Sequence, residues 1–443
     1  MDRTASERIH DFNEVDTGFT KEEAVAEAKR CIQCKKPHCI EGCPVNINIP
    51  AFIKAIAEEK FEEAGEIIRK DNLLPAICGR VCPQEQQCQG VCVLGKKDKP
   101  VSIGHLERFV ADNTEKKTPA KAPATGKSVA VIGSGPAGIT AAAELARLGH
   151  KVTVFESLHK AGGVLMYGIP NFRLPKEIVQ EEIAEVEKLG VEIKTNHIAG
   201  KSVTVDELLA FDAVFLGTGA GLPFFMKIEG ENTPSAYSAN EFLTRVNLMG
   251  ANNFPANDTP VKRGKKVVVV GGGNVAMDAA RVARRMGAEV TLMYRRTEKD
   301  MPARLDEVRH AKEEGIVFMT ETNPVKIIAA ENTVSGVEAV RMTIGEPDAD
   351  GRSSFAPVAG SNFIVEADVV IEAIGQGPNP LLLKRMEGLA RNKNGSVTVS
   401  EGGKTSMAKV YAGGDVATGA ATVILAMGTA KEAAKAIDKA LKE

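Results

Sequence analysis

Residues 128–156 read SVAVIGSGPAGITAAAELARLGHKVTVFE: a short β-branched strand, a glycine-rich turn, a helix and a second strand. The glycines allow a tight turn, so that a pyrophosphate can approach the N-terminus of the helix, where free N–H groups favour negative charge. Glu156 ends the second strand 23 residues after Gly133, where a carboxylate can accept hydrogen bonds from a ribose diol. The stretch therefore predicts a dinucleotide-binding unit, rather than a tight turn in an α/β domain without a ligand. The predicted contact residues are Gly133, Ser134, Gly135, Pro136, Ala137, Gly138 and Glu156.

The same pattern recurs at residues 266–296, KVVVVGGGNVAMDAARVARRMGAEVTLMYRR. The residue 23 positions after Gly271 is Tyr294 rather than an acid, and two arginines follow it. Loss of the carboxylate removes repulsion, and guanidinium groups can hold the 2′-phosphate of NADP. This unit is therefore predicted to prefer NADP(H) over NAD(H), the alternative being that one or both arginines are only solvated. Its predicted contacts are Gly272, Gly273, Asn274, Val275, Arg295 and Arg296.

A third glycine-rich stretch closes the chain at residues 410–437, VYAGGDVATGAATVILAMGTAKEAAKAI. Two dinucleotide units, one with an acid and one with arginines, imply one bound flavin, FAD, and one nicotinamide, NADP(H). The strand-end loop with Gly414 and Asp415 can place the carboxylate on the ribityl chain of the flavin. Only the first turn of the following helix, at Thr422 and Val423, is expected to reach the ligand.

The pattern of residue types divides the chain into domains, as expected for 443 residues, about three times the usual domain length. Residues 1–113 have a helical pattern, and 114–127 (TEKKTPAKAPATGK) form a linker rich in Pro, Lys and Ala. The alternation of strands and helices after residue 128 predicts an α/β fold with parallel sheets. The predicted divisions are a first FAD-binding part at 128–261, an NADP(H)-binding domain at 262–375 and a second FAD-binding part at 376–443.

Charge and hydropathy exclude several classes of function. The 56 Lys and Arg balance 58 Asp and Glu, a net charge of -2, which argues against nucleic acid or an anionic membrane as the main partner. The sequence has no long apolar run and no secretory signal, so a cytoplasmic location is expected. All eight cysteines lie between Cys31 and Cys92, which excludes a redox disulfide beside the flavin.

The cysteines fall into two groups of four, and each group contains a Cys-Pro step. The first group resembles the bacterial ferredoxin run, widened between its second and third thiols, and in that run the fourth cysteine serves the other cluster. Two groups of this kind suit two [4Fe–4S] clusters. Structural zinc is the alternative, but only Cys31 and Cys34 have the CxxC spacing that zinc sites favour.

Taken together, these motifs resemble one family along essentially the whole chain. It is similar to the small subunit of NADPH-dependent glutamate synthase, the large subunit of NADH-dependent ferredoxin:NADP oxidoreductase (Nfn type), sulfide dehydrogenase and the N-terminal part of dihydropyrimidine dehydrogenase. This family implies a helical iron–sulfur domain followed by two Rossmann-like domains of the glutathione-reductase type, the FAD domain being split by the NADP domain. The stretches that carry the resemblance are CIQCKKPHCIEGCPVNINIPAFI, CGRVCPQEQQCQGVC, IGHLERF, GSGPAG, GGVLMYGIPNFRLP, GGGNVAMDAAR, YRRTEKDMPAR and YAGGDVATG.

The resemblance also implies a set of cluster ligands. One cluster would be held by Cys31, Cys34, Cys39 and Cys92. The other would be held by Cys43, Cys82, Cys88 and Glu107, an unusual oxygen ligand that by itself reads as an ordinary glutamate on a helix surface. Cys78 would be a non-ligand. Family likeness further implies that Gly163, Val164 and Arg173 lie near the flavin and that Gly375 lies near the nicotinamide nucleotide.

The predicted function is that of an electron-transfer subunit. NADPH would exchange a hydride with FAD, and single electrons would pass through the two clusters to or from a partner subunit, with no catalytic side chain required. The N-terminal sequence favours the Nfn-type role, with a second flavin and iron–sulfur subunit and ferredoxin as partners. The alternative is the small subunit of glutamate synthase, serving its large subunit. Lesser alternatives are sulfide dehydrogenase and a zinc-holding redox sensor.

Overall fold

The computed structural model describes residues 2–116, 120–347 and 353–443, and its N-terminal part is helical. Helix α2 begins with a capping box, in which the Thr20 N–H donates to Glu23 Oε2 and the Glu23 N–H donates to Thr20 Oγ1. Helices α4 and α6 have proline in their first turn, where a missing N–H costs nothing. The helices are α1 (Ala5–Arg8), α2 (Lys21–Lys29), α3 (His38–Glu41), α4 (Ile49–Ala57), α5 (Phe61–Asp71), α6 (Pro75–Val81) and α7 (Ile103–Asn113).

The first glycine turn lies in a five-stranded parallel sheet. Its strand order is β16-β4-β1-β2-β3, so a strand from the end of the chain, β16 (Val410–Ala412), completes a sheet that begins at residue 128. This confirms the predicted split of the first nucleotide domain around the second. The elements before the second domain are β1 (Ser128–Ile132), α8 (Pro136–Arg147), β2 (Lys151–Phe155), α9 (Val164–Tyr167), α10 (Lys176–Lys188), β3 (Glu192–Lys194), α11 (Val205–Leu209), β4 (Ala213–Leu216) and β5 (Leu222–Pro223).

The second glycine turn lies in another five-stranded parallel sheet, of order β6-β14-β7-β8-β9. Strand β6 pairs with β14 although it precedes residue 262, so part of the range 128–261 completes the second sheet. The predicted boundary at 261/262 therefore does not coincide with the division between the two sheets, because β6 lies before it. The elements are β6 (Ala236–Ser238), α12 (Ala239–Leu243), β7 (Lys266–Val270), α13 (Asn274–Arg285), β8 (Glu289–Met293), α14 (Leu305–Glu313), β9 (Val317–Met319) and β14 (Val369–Glu372).

An antiparallel sheet that the sequence analysis does not predict is inserted before β14. It pairs β10 with β11, and β11 in turn with β12 and β13. A two-stranded ribbon of β5 and β15 joins the two nucleotide domains. The remaining elements are β10 (Thr322–Ala330), β11 (Thr333–Pro347), β12 (Ser353–Pro357), β13 (Phe363–Glu366), β15 (Gln376–Gly377), α15 (Pro380–Leu383), β16 (Val410–Ala412), α16 (Asp415–Thr418) and α17 (Val423–Lys442).

The predicted linker runs along the first nucleotide domain. The Ala122 N–H donates to Arg147 O at 2.8 Å, and Lys121 Nζ donates to Leu189 O at 3.0 Å. Residues 117–119 of this segment lie outside the described residues. Among the helices in the described ranges, none is both long enough and apolar enough to cross a membrane.

Helix α17 joins the first nucleotide domain to the cysteine-bearing domain. It packs along α8 on one side and contacts the loop after Cys43 on the other. At Gly428 the two backbones come so close that an added Cβ would lie 2.7 Å from Pro44 O. One residue earlier, Met427 Sδ accepts a hydrogen bond from the Cys78 thiol at 3.6 Å. Glycine at 428 is therefore required by the close approach of the two domains.

The second nucleotide domain is anchored by charges around Glu314, which lies just after α14. Its carboxylate accepts hydrogen bonds from Arg281 Nη2 at 2.8 Å and from Arg285 Nη1 at 2.7 Å, and Arg8 Nε lies 2.9 Å away. Burial opposes the charge of Glu314, but the hydrogen bonds from Arg285 and Arg281 outweigh it and lower its pKa to about 2. The network ties the N-terminal segment, through Arg8, to helices α13 and α14.

We expect Glu314→Gln to lower the free energy of unfolding by about 3 kcal/mol, because it leaves buried guanidinium groups without a full counter-charge. Thermal unfolding followed by circular dichroism measures the loss. Glu432→Gln is the matched control. Glu432 is 68% exposed and its carboxylate lies 4.0 Å from Lys435 Nζ, and exposed ion pairs of this kind contribute little to stability. Equal destabilisation by the two substitutions would show that the buried network does not hold this domain.

Candidate functional site

A cavity of about 1370 Å³ lies where the strand ends of the two parallel sheets face each other. Its volume exceeds that of an ordinary single-ligand pocket. The N-terminal domain completes its wall with Val81, Pro83 and Gln86. Of the predicted nucleotide contacts, all but Gly138 and Gly414 line it. Those that do are Gly133, Ser134, Gly135, Pro136, Ala137, Glu156, Gly163, Val164, Arg173, Gly272, Gly273, Asn274, Val275, Arg295, Arg296, Gly375, Asp415, Thr422 and Val423.

The first glycine turn has the shape that a pyrophosphate requires. A Cβ added at Gly135 would meet no atom within 4 Å, so open space faces the N-terminus of α8. A Cβ at Gly138 would lie 1.8 Å from Gly133 O, which explains why Gly138 packs the turn instead of lining the cavity. Gly133 has φ +94°, in the region that favours glycine. The turn therefore fits a dinucleotide phosphate at a helix N-terminus.

Glu156 is held against this turn by hydrogen bonds. Its Oε2 accepts from the Ser134 N–H at 3.0 Å and from Ser134 Oγ at 2.5 Å, and its Oε1 accepts from the Leu158 N–H at 2.8 Å. The carboxylate is buried but belongs to the cavity wall. A fixed acceptor at the end of β2 fits a ribose diol, and that role remains a prediction.

In the second turn, the backbone again approaches closely and the two arginines lie together. A Cβ at Gly271 would lie 2.3 Å from Ala373 O. The guanidinium carbons of Arg295 and Arg296 lie 4.4 and 4.9 Å from the ring centroid of Phe355, a residue of β12. Partial burial and the adjacent charge of Arg296 lower the pKa of Arg295. Two like charges held side by side form a site suited to a phosphate dianion.

The C-terminal loop brings a buried acid to the same cavity. Gly414 has φ +70° and precedes Asp415, the first residue of α16. Asp415 Oδ1 accepts a hydrogen bond from the Ala421 N–H at 3.3 Å, and burial raises the pKa of Asp415 to about 6. Helix α17 then begins after its N-cap, Thr422, whose side chain accepts from the Leu425 N–H. This arrangement suits polar groups of a ligand chain that passes between Asp415 and the start of α17.

Arg173 lines the cavity, but its guanidinium is already engaged by the second nucleotide domain. Its Nη1 donates to Asp278 Oδ2 at 2.7 Å, and its Nε lies 3.0 Å from Glu307 Oε1. Arg173 therefore forms a bridge between the two nucleotide domains. Local sequence pattern does not indicate this pairing, because the acidic partners lie more than 100 residues away along the chain.

Four thiols converge on one small apolar pocket near the surface. Its walls include Cys31, Cys34, Cys39 and Cys92, which we call the first thiol group. Burial raises the pKa of Cys39 to about 11, and repulsion from the Cys31 and Cys92 thiolates raises it further. Because iron binds the thiolate, a cluster with positive iron would offset this penalty. The donor set thus fits an iron–sulfur cluster.

The second thiol group is the set that the family resemblance implies, Cys43, Cys82, Cys88 and Glu107, rather than the second run of cysteines in the sequence. Its members are buried more deeply than those of the first group. Glu107 is 7% exposed, so its interpretation as an ordinary surface glutamate is wrong. Burial raises the pKa of Glu107 to about 8. Burial is also the main cause that raises the pKa values of the Cys43 and Cys88 thiols, and the charge of Glu107 raises them further. Its Oε1 accepts a hydrogen bond from Asn72 Nδ2 at 2.6 Å.

Cys78 also lies in this region, with partners of its own. Its thiol donates to Asn72 Oδ1 at 3.7 Å and to Met427 Sδ at 3.6 Å. A hydrogen bond with Cys82 lowers the pKa of Cys78, but burial and the charge of Glu107 raise it overall.

Across 2–116, 120–347 and 353–443, no three His, Cys, Asp or Glu side chains are arranged to hold a single metal ion.

Arg304 connects the second glycine turn to the residues around Cys82, a link that the sequence pattern does not indicate. Its N–H donates to Asn274 Oδ1 at 2.9 Å, at the start of α13. Its guanidinium donates to Arg80 O at 3.1 Å and to Gln84 Oε1 at 2.9 Å. Arg304 ends the motif YRRTEKDMPAR, but neither its spacing nor its residue type indicates a partner in the first domain. Asn72 and Phe355 are likewise contacts that only the folded chain creates.

Two sequence families match this architecture. Residues 8–119 match the family described as dihydropyrimidine dehydrogenase domain II, 4Fe-4S cluster, and residues 127–440 match the pyridine nucleotide-disulphide oxidoreductase family. The second match covers more than half of the chain, which therefore belongs to this family of oxidoreductases. The cofactors predicted from the sequence, FAD, NADP(H) and [4Fe–4S], are confirmed as those of its two domains. Because no cysteine follows Cys92, this member of the family has no redox disulfide between residues 127 and 440.

Individual relatives extend over the whole chain. The small chain of NADPH glutamate synthase from Escherichia coli K12 is 38% identical over 440 residues, covering 96% of this chain and 93% of that one. The beta subunit of NADP(+)-dependent formate dehydrogenase from Moorella thermoacetica is 40% identical over 91% of this chain, which spans only 60% of that subunit. These relatives confirm the resemblance stated from the motifs.

Solved structures share the fold of the nucleotide domains. FprA from Mycobacterium tuberculosis in complex with NADPH has a TM-score of 0.60 at 21% identity, covering 72% of this chain and 85% of FprA. Thioredoxin reductase from T. acidophilum has a TM-score of 0.53 at 19% identity, covering 72% of this chain and all of that one. Both agree with the predicted α/β class.

Replacing Arg295 and Arg296 with Gln should weaken NADPH selectively. Charged hydrogen bonds to a 2′-phosphate contribute about 1.5–3 kcal/mol each, so kcat/KM for NADPH should fall at least about tenfold. The value for NADH should change by less than about threefold, because NADH lacks that phosphate. Arg284→Gln on α13, whose Nε donates to Glu314 O, is the control for loss of a positive charge elsewhere in the same domain, because Arg284 does not line the cavity. An equal loss with both nucleotides would contradict the assignment.

Proposed function

We propose that the chain is the NADPH-oxidising electron-transfer subunit of a larger enzyme. Bound FAD would exchange a hydride with NADPH and single electrons with iron–sulfur clusters. The chain's own contribution is to orient two nucleotides in one cavity and to exclude water from it. The observation that carries this proposal is that the cavity is lined by both glycine turns and also by Val81, Pro83 and Gln86 of the cysteine-bearing domain.

The second thiol group lies next to the proposed flavin site. Pro83 follows Cys82 directly, and Gln86 is two residues before Cys88. Gln87 Nε2 donates to Thr422 Oγ1 at 3.4 Å, across the boundary between the two domains. These contacts support the second group as the first acceptor of electrons from the flavin and the more exposed first group as the exit.

Two clusters are proposed, one for each thiol group. The first would be held by Cys31, Cys34, Cys39 and Cys92, which share one pocket. The second would be held by Cys43, Cys82, Cys88 and Glu107, with Asn72 orienting the carboxylate. The 4Fe-4S family description supports iron over the zinc alternative. An oxygen ligand on one iron would alter the potential of that cluster.

The physiological partner is the finer part of the proposal. A partner subunit is supported in general by relatives that are named as subunits, such as a glutamate synthase small chain and a formate dehydrogenase beta subunit. Full-length similarity to glutamate synthase small chains supports that role at least as well as the Nfn-type role with ferredoxin. Sulfide dehydrogenase remains a lesser alternative, and cytoplasmic location remains a prediction.

Anaerobic isolation from the native source tests both levels of this proposal. Stepwise addition of NADPH should bleach the flavin absorbance and then produce the EPR signals of reduced clusters. A protein whose flavin or clusters do not respond to NADPH would contradict the electron-transfer function. Mass spectrometry of what co-purifies decides the role: a very large glutaminase-bearing subunit indicates glutamate synthesis, and a smaller flavin and iron–sulfur subunit indicates the Nfn-type role.

Substitutions in the second thiol group test its ligand set. Glu107→Ala should change the EPR signal of one cluster and leave the other unchanged, and Cys82→Ala should remove about half of the iron. Cys78→Ala is the matched control, because this buried thiol is proposed to be a non-ligand, and it should retain the iron and both signals. If both EPR signals are unchanged in the Glu107→Ala variant, Glu107 has a purely structural role.

A further inference from the structure

A short segment before α14, residues 300–304, lies against the second glycine turn, and we call it the strap. The Ala303 N–H donates to Gly272 O at 3.3 Å, and the Arg304 N–H donates to Asn274 Oδ1 at 2.9 Å. These two hydrogen bonds hold the end of the strap on the second nucleotide domain. They therefore fix the point from which the side chain of Arg304 starts.

The side chain of Arg304 leaves its own domain and brackets Cys82. Its Nη1 donates to Arg80 O at 3.1 Å and its Nη2 donates to Gln84 Oε1 at 2.9 Å, two residues before and two residues after that cysteine. Gln84 is itself buried, and its Nε2 donates to Gly79 O at 3.2 Å. The guanidinium is thus held beside Cys82 by groups that are fixed in turn.

The charge of Arg304 is only weakly screened by water, because its side chain is 10% exposed. Glu85 Oε1 lies 3.5 Å from Nε and Asp306 Oδ2 lies 3.8 Å from Nη2, but these acidic side chains are 24% and 54% exposed. A third acid, Glu307, is buried but already paired with Arg281. Solvent weakens the field of exposed carboxylates more than that of a buried guanidinium, so the field on the buried side stays positive.

The second thiol group is surrounded mainly by groups that become negative. A hydrogen bond with Cys78, burial and the charges of Cys78 and Glu107 raise the pKa of the Cys82 thiol, whereas the charge of Arg304 acts in the opposite direction. Arg304 therefore opposes the negative charges that gather around this cysteine.

We propose that Arg304 sets the reduction potential of the cluster held by the second thiol group. Reduction adds one electron, which comes from the reduced flavin, and no bond forms or breaks. The extra negative charge is stabilised by a fixed guanidinium in a dry interior, so the charge of Arg304 raises the potential of that cluster. The inference rests on the proposed function, because it needs a cluster at the second thiol group.

The charge comes from a different domain than the thiols on which it acts. Arg304 and Gln84 are 220 residues apart in the chain. The cluster therefore has its raised potential only when the second nucleotide domain is packed against the cysteine-bearing domain. The strap makes one residue responsible both for a contact with the second glycine turn and for the tuning of the cluster.

The test compares Arg304→Gln with Arg304→Lys in anaerobically isolated, cluster-loaded protein. Gln removes the charge, whereas Lys keeps a positive charge but loses the planar fork that holds both acceptors. Arg309→Gln is the matched control, because Arg309 lies on α14, is 46% exposed and pairs with Glu313 at 3.0 Å. EPR-monitored redox titration gives the potential of each cluster, and the Glu107→Ala variant identifies the signal of the second one.

We expect Arg304→Gln to lower the equilibrium constant for reduction of the second cluster at least tenfold, which for one electron is a shift of about 59 mV to lower potential. The first cluster should change by less than about twofold, and so should both clusters in Arg309→Gln. Arg304→Lys should recover at least half of the shift, because it restores the charge.

Three results would overturn the proposal: a second cluster that does not respond to Arg304→Gln, equal shifts in both clusters, or equal losses in Arg304→Gln and Arg304→Lys. The last result would mean that the hydrogen bonds of the arginine matter and its charge does not. If Arg304→Gln loses the iron of its second cluster, iron analysis of Arg304→Lys decides. Iron kept by the Lys variant supports the role of the charge, and iron lost from both variants overturns it.

The same titrations separate this inference from the proposed function. An unmodified protein without cluster signals, or with clusters that NADPH does not reduce, would end the proposed function. Two clusters that NADPH reduces, with potentials that do not depend on Arg304, would end only the role of this residue.

Discussion

Helix α17 packs closely on the cysteine-bearing domain and so fixes the placement of the thiols relative to the nucleotide cavity. The same helix begins at the nucleotide cavity, capped by Thr422, and passes Pro44 at Gly428, where no side chain fits. One rigid element therefore sets the distance between the predicted flavin site and the second thiol group. Electron transfer needs such fixed placement more than it needs reactive side chains.

Buried ion pairs impose a second constraint, on the position of the NADP(H) domain. Glu314 gathers guanidinium groups from α13 and from the N-terminal segment, and Arg173 reaches from the first nucleotide domain to Asp278 and Glu307. Leaving any of these charges unpaired in a dry interior is costly, so the network specifies one arrangement of the three domains. Arg304 adds a contact between the second glycine turn and the residues before Cys82 and Cys88.

The two thiol groups differ mainly in their surroundings. The second group is enclosed, shares its space with a buried glutamate and adjoins the cavity. The first group opens to solvent between exposed apolar side chains and lysines. Of the two groups, the first is therefore the one that another molecule could approach from solvent.

Features that depend on local pattern could be predicted from the amino-acid sequence: the two glycine turns, the parallel α/β class, the confinement of the thiols to one domain and, through family motifs, the cofactors. Glycine spacing and strand–helix alternation act over a few residues, so they can be read directly. Three features emerge only in the folded chain: the pairing of Arg173 with Asp278, the stacking of Phe355 on Arg295 and the burial of Glu107. These contacts join residues far apart in the chain, and burial, which raises the pKa of Glu107, arises only once several elements pack around it.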